Sequence, residues 1–172
     1  MYKCYQDKMA PGNESFPLAH IIGENLLYLT TWVLAGALLW PVWLVQNIPV
    51  LTLLWALLVV VVQVALKKHN CSGCYYYDKR CHLGWGKLSS ALFKPDSGNP
   101  ETGKKLTLFY IVPPPVIVLT SLAFAVTQKP EGHYWIILFA YLVLNAASFP
   151  VRKKGCGLCA MRKVCPGSAV KK

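Results

Sequence analysis

Six of the seven cysteines fall into two short groups of the same design. The first is Cys71-Ser72-Gly73-Cys74, then six residues, then Cys81; the second is Cys156-Gly157-Leu158-Cys159, then five residues, then Cys165. A C-x2-C pair can place two sulfurs on one tetrahedral metal ion, at about 2.3 Å each for zinc. The thiolate is the ligand, and nearby cations favour it. Lys79 and Arg80 lie inside the first group, and Arg162 and Lys163 inside the second. Cysteines clustered this way in a reducing compartment point to metal or redox chemistry, not to a disulfide framework. We therefore take Cys71, Cys74, Cys81, Cys156, Cys159 and Cys165 as candidate metal ligands.

Each group directly follows an apolar stretch and a basic cluster, Lys67-Lys68 in one case and Arg152-Lys153-Lys154 in the other. The chain thus reads as a tandem repeat of about 85 residues. The first spacing resembles the C-x2-C-x6-C half-site of the fungal binuclear zinc-cluster transcription factors. That resemblance covers the cysteines alone and implies six thiolates around two zinc ions, two of them bridging; it does not imply DNA binding. The second group resembles the opening of the C-x2-C-x5-C-x3-C pattern of auxiliary iron–sulfur domains, with Ala169 where the fourth cysteine would stand. Pro166 after Cys165 is similar to the Cys-Pro ending of bacterial ferredoxin motifs.

Three ligand arrangements follow. Cys71, Cys74, Cys156 and Cys159 form one four-thiolate site; or all six thiols join in one site; or each half keeps a local site completed by another ligand. Cys4 is a candidate for that last role in either half, and His82 in the first. Zinc is the preferred ion because it asks only for tetrahedral thiolates. An iron–sulfur centre is the alternative, and it requires an electron-exchange partner such as a quinone or a membrane complex. Structural zinc contributes around 10–16 kcal/mol in small peptides, enough to fold a loop with little core of its own.

The elements that must position these thiols are set by composition. Of the 172 residues, 55% are hydrophobic and 15% charged, against roughly 25% charged in an ordinary soluble domain. Four charge-free stretches are long enough to cross a bilayer core of about 30 Å: residues 26–45, 48–66, 106–126 and 134–151. The fold class expected is an all-α membrane protein of four transmembrane helices in two tandem hairpins, each followed by a Cys-rich knuckle. The divisions are 1–70 (N-terminal segment and first hairpin), 71–105 (Cys-rich loop), 106–151 (second hairpin) and 152–172 (Cys-rich tail). Gln46-Asn47 makes a tight turn in the first hairpin. Trp85, Leu88 and Leu92, at helical spacing within residues 83–94, predict a short amphipathic helix on the membrane surface. Pro113-Pro114-Pro115 interrupts the third span.

Seventeen of the eighteen Lys and Arg residues lie in the N-terminal segment, the central loop and the tail; Lys129 is the exception. Basic residues stay on the cytoplasmic side, so both termini and all six clustered thiols are expected there, in the cell membrane. Residues 1–23 lack the compact charged start and adjoining apolar core of a cleavable signal. The net charge of +11 is accounted for by topology and anionic headgroups, and no nucleic-acid recognition module accompanies it.

Other polar residues receive structural expectations. Glu24 sits at the lip of the first span as a solvated acid, or as the carboxylate of a small transporter. His20 and His133 are interfacial, Asn145 bridges helices, and Tyr75-Tyr76-Tyr77 packs and anchors. The sequon at Asn13 carries no meaning on a cytoplasmic face. A thiol oxidoreductase of the quinone-linked kind needs its cysteines on the other side. No nucleophile–base pair or phosphate loop is visible, so the chain reads as a structural, accessory or assembly module and not as an enzyme. Its partners are the lipid bilayer and a protein of a membrane complex; no soluble substrate is indicated.

Overall fold

The computed structural model describes residues 2, 5 and 8–170; Cys4, one proposed extra ligand, lies outside them. The chain is mostly helical, at 64%. Its helices are α1 (Leu18–Leu39), α2 (Val50–Leu66), α3 (Trp85–Leu92), α4 (Pro100–Leu106), α5 (Pro113–Gln128) and α6 (Gly132–Gly157). A two-residue antiparallel pair, β1 (Leu44–Val45) and β2 (Ile48–Pro49), joins α1 to α2. Its turn residues Gln46 and Asn47 both have positive φ, the geometry of the two-residue turns that match strand twist.

Four helical stretches are long and apolar enough to cross a membrane: Leu18–Leu39, Val50–Cys71, Pro100–Gln128 and Gly132–Gly157. Their outward faces carry Leu54, Leu57, Val61, Leu119, Ile136 and Phe139, all exposed in the isolated chain. A row of such side chains is what lipid-facing helices present, since lipid exerts no penalty on them.

The first span begins at Leu18, eight residues before the charge-free stretch, and so takes in His20 and Glu24. The third is discontinuous. Helix α4 runs through a 3-10 turn at Thr107–Tyr110 and a break at Ile111-Val112 before α5 starts at Pro113. The three prolines stand in the first turn of α5, where their missing N–H groups would have no partner in any case. The triplet interrupts the third span as its sequence predicts, and the break falls just before it, so that the prolines open α5. After α2 a π turn, Lys67–Cys71, carries the backbone to the first thiol.

Helix α1 packs most extensively against α6, with α2 next and α5 after it. The principal seam therefore joins the first span to the last. Away from the thiols it is filled by Ala35, Leu38, Leu39, Leu138 and Tyr141, with Ile117 and Ala125 from α5. At the other end a second core gathers Tyr2, Tyr5, Phe16, Ile21, Tyr76, Cys159, Ala160 and Met161, with Cys74, Cys81 and Cys165 packed against it.

Candidate metal centre

The N-terminal strap before α1 laces the two cysteine segments together. The Tyr2 amide donates to Gly73 O (2.9 Å), and the Phe16 amide to Arg80 O (3.0 Å) in the first segment. The Ala10 amide donates to Ala160 O (2.9 Å), and the Asn13 amide to Leu158 O (2.9 Å) in the second. Tyr76 closes the contact directly. Its side chain is 1% exposed, and its hydroxyl donates to Asn13 O while accepting from the Ala160 amide at 3.0 Å.

Glycines let these backbones approach. Gly84, the residue before α3, has φ +71, a conformation that glycine tolerates freely. A Cβ on Gly86 would fall 1.8 Å from Tyr76 O and 2.6 Å from Lys79 O. Helix α3 thus lies flush on the cysteine loop, with Ser89 Oγ donating to Lys67 O at 3.0 Å. Gly86 and Ser89 face inward, and Leu88 and Leu92 point out.

All six clustered cysteines are free thiols. Cys71 ends the π turn, Cys156 lies in the last turn of α6, and the other four sit in the irregular segments beyond. Cys156 and Cys159 are buried; Cys71, Cys74, Cys81 and Cys165 are half-buried. Burial pushes the Cys74 thiol well above its usual range, and the charges of Cys71, Cys165 and Cys81 act in the same direction. Cys71 also faces Cys81 and Cys165, and Cys165 faces Cys156 first and Cys81 after it. Cys71, Cys74, Cys81 and Cys165 are thus mutually in electrostatic reach across the two halves. Cys159 is pushed up to about 12, by burial first and then by the charges of Cys165 and Cys156. Backbone amides two residues on act the other way on three of the thiols: Tyr76 on Cys74, Met161 on Cys159 and Gly167 on Cys165.

A second polar group adjoins the thiols. Glu24, expected at a wet boundary, is 2% exposed. Its Oε2 lies 2.9 Å from His82 Nδ1 and 3.3 Å from His20 Nε2. Ligand atoms of these three residues all lie within 4.8 Å of one another. His82 Nε2 is 3.9 Å from Cys156 Sγ, and the Phe16 ring packs against both imidazoles. Burial lowers the His82 pKa, but hydrogen bonds to Cys156 and Glu24 outweigh it and hold the imidazole up at about 10. Sequence reasoning missed this group because His82 lies fifty-eight residues from Glu24. The one available signal was the i,i+4 spacing of His20 and Glu24 on a helix face.

A cavity of about 520 Å³ opens beside the thiols. Tyr28, Trp55, Tyr110, Asn145 and Arg152 line it, together with the broken helix at Pro113-Pro114 and residues 166–169 that follow Cys165. Asn145 was expected to bridge helices; instead its amide bonds Tyr141 O in its own helix at 2.8 Å. The Arg152 guanidinium stacks 4.6 Å from the Tyr110 ring and donates to Gly167 O at 2.7 Å.

No protein-family model, curated protein or solved structure matches this chain.

Proposed function

We propose that this membrane protein holds an iron–sulfur cluster on Cys71, Cys74, Cys81 and Cys165, on the cytoplasmic side, and exchanges single electrons between a quinone and a partner complex. The observation that carries the reading is that Cys74, Cys81 and Cys165 pack against one core, with Cys71 and the other three within electrostatic reach of one another. Three cysteines close in sequence plus a distant one followed by proline is a ligand pattern used by iron–sulfur clusters.

Thiolates on a cluster bind different irons, so the four need not converge on one ion as they must for zinc. Backbone amides near the sulfurs, such as Tyr76 at Cys74 and Gly167 at Cys165, would tune the potential of such a centre. The cavity fits a quinone ring, with Tyr28, Tyr110, Asn145 and Arg152 as polar contacts, and residues 166–168 of its wall follow the Cys165 ligand. When bound, the cluster supplies the one-electron chemistry. The chain's own residues hold it, bury it and place the cavity beside it.

Anaerobic purification with iron and sulfide analysis tests this. Expected are stoichiometric iron and sulfide and a broad visible absorption that bleaches on reduction, with Cys165→Ser losing most of both elements. Colourless protein whose thiols carry zinc and no sulfide would overturn the redox reading and restore a structural one.

A further inference from the structure

We infer that His20, Glu24 and His82 bind a divalent metal ion of the zinc type, at a site separate from the clustered thiols. Burial of a carboxylate is costly unless each oxygen is answered; His82 Nδ1 meets Glu24 Oε2 at 2.9 Å, but the other oxygen has no such partner. Glu24 is 2% exposed, and its Oε1 is a buried atom without a hydrogen-bond partner. His20 Nε2 is buried too and makes no hydrogen bond, although it stands 3.3 Å from Glu24 Oε2. Two buried polar atoms, one in the carboxylate and one facing it, thus lack a hydrogen-bond partner.

The dimensions suit the ion. With bonds of about 2.0–2.1 Å, nitrogen and oxygen ligands on tetrahedral zinc stand about 3.3–3.4 Å apart. The His20–Glu24 separation of 3.3 Å meets that value, and the His82–Glu24 separation of 2.9 Å needs only a small opening. Two imidazoles and one carboxylate are a recurrent zinc set, and three protein ligands leave a fourth position open to water. Softer ions are disfavoured by the absence of a thiolate from the trio.

The surroundings complete a second shell. With Nδ1 on the ion, His82 directs Nε2 at Cys156 Sγ, 3.9 Å away. Such outer partners fix the tautomer and orientation of a ligating imidazole. Phe16 packs against both rings. Asn25, one residue from Glu24, donates to Leu83 O at 3.0 Å and so ties α1 to the segment carrying His82. The ion would cross-link α1 to the cysteine loop independently of the thiols.

The test uses the full chain purified in detergent, with zinc titration and cobalt substitution. Cobalt on nitrogen and oxygen ligands gives visible d–d bands without thiolate-to-metal charge transfer. We expect such bands in the parent protein and in Cys74→Ser, and their loss in Glu24→Gln and His20→Gln. Zinc affinity should fall at least tenfold in both His20→Gln and Glu24→Gln. His20 is partly exposed, so His20→Gln keeps the test alive if Glu24→Gln fails to fold. Unchanged iron and sulfide in His20→Gln would show that its loss of zinc is local to this site. Equal zinc affinity in parent and His20→Gln would overturn the inference, as would cobalt bands that vanish in Cys74→Ser. Neither result bears on the cluster, whose ligands are other residues.

Discussion

Replacing Tyr76 by phenylalanine removes one oxygen atom from the contact between the two cysteine segments. The ring stays, so no large cavity opens and the loss is confined to hydrogen bonding. Two partners are affected: Asn13 O, which accepts from the hydroxyl, and the Ala160 amide, which donates to it at 3.0 Å. Asn13 is exposed and can turn to water. Ala160 is 7% exposed and has no such recourse. A buried polar group left unpaired costs about 1–3 kcal/mol, so the Ala160 amide alone sets the scale. Tyr76→Phe should therefore destabilise the fold by about 1–3 kcal/mol, roughly a 5- to 150-fold change in the unfolding equilibrium. Tyr76→Ala should cost more, since truncating a buried aromatic costs about 3–5 kcal/mol. Denaturant titration in mixed micelles measures both. Hydrogen exchange at the Ala160 amide reads the local event, and its protection should fall in Tyr76→Phe. A Tyr76→Phe protein within about 0.5 kcal/mol of the parent, a change typical of uninvolved surface sites, with Ala160 exchange unaltered, would refute the reasoning.

Two further outcomes follow from the structure. Gly86→Ala places a methyl group 1.8 Å from Tyr76 O, a backbone atom that cannot swing aside; overpacking costs about 1–3 kcal/mol or more, and the denaturation midpoint should drop accordingly while Leu88→Ala, on the exposed side of α3, shifts it less. Reporter domains fused after residue 170 and inserted at Lys129-Pro130 should report opposite compartments, the former cytoplasmic; the same compartment for both would contradict four crossings.

The four spans were legible because lipid-facing helices need length and apolar residues, and those are written locally. Where α1 begins was not legible. Counting the first span from Leu26 treats Glu24 as too polar to enter the helix. The structure admits it because His82, far along the chain, meets its carboxylate at 2.9 Å. The proline triplet was legible as an interruption of the third span, because its missing donors disrupt a helix interior; less legible was that the same residues would then open α5. For the thiols, spacing picked out all six candidates. It could not say that Cys165 would face Cys71, Cys74 and Cys81, because that depends on how α6 lies against α1. The Asn145 expectation failed for a similar reason, since an amide in a helix can satisfy itself on the carbonyl one turn back.

The strap that crosses both cysteine segments has a consequence for synthesis. Arg162 bonds Pro11 O, so the strap must wait for the segment after α6 before it can settle. Three of the four proposed cluster ligands leave the ribosome long before Cys165 does. Until α6 and the segment after it have been made, those thiols would lack their proposed fourth companion. Filling of such a site would therefore follow synthesis of Cys165, and the strap would then tie it shut.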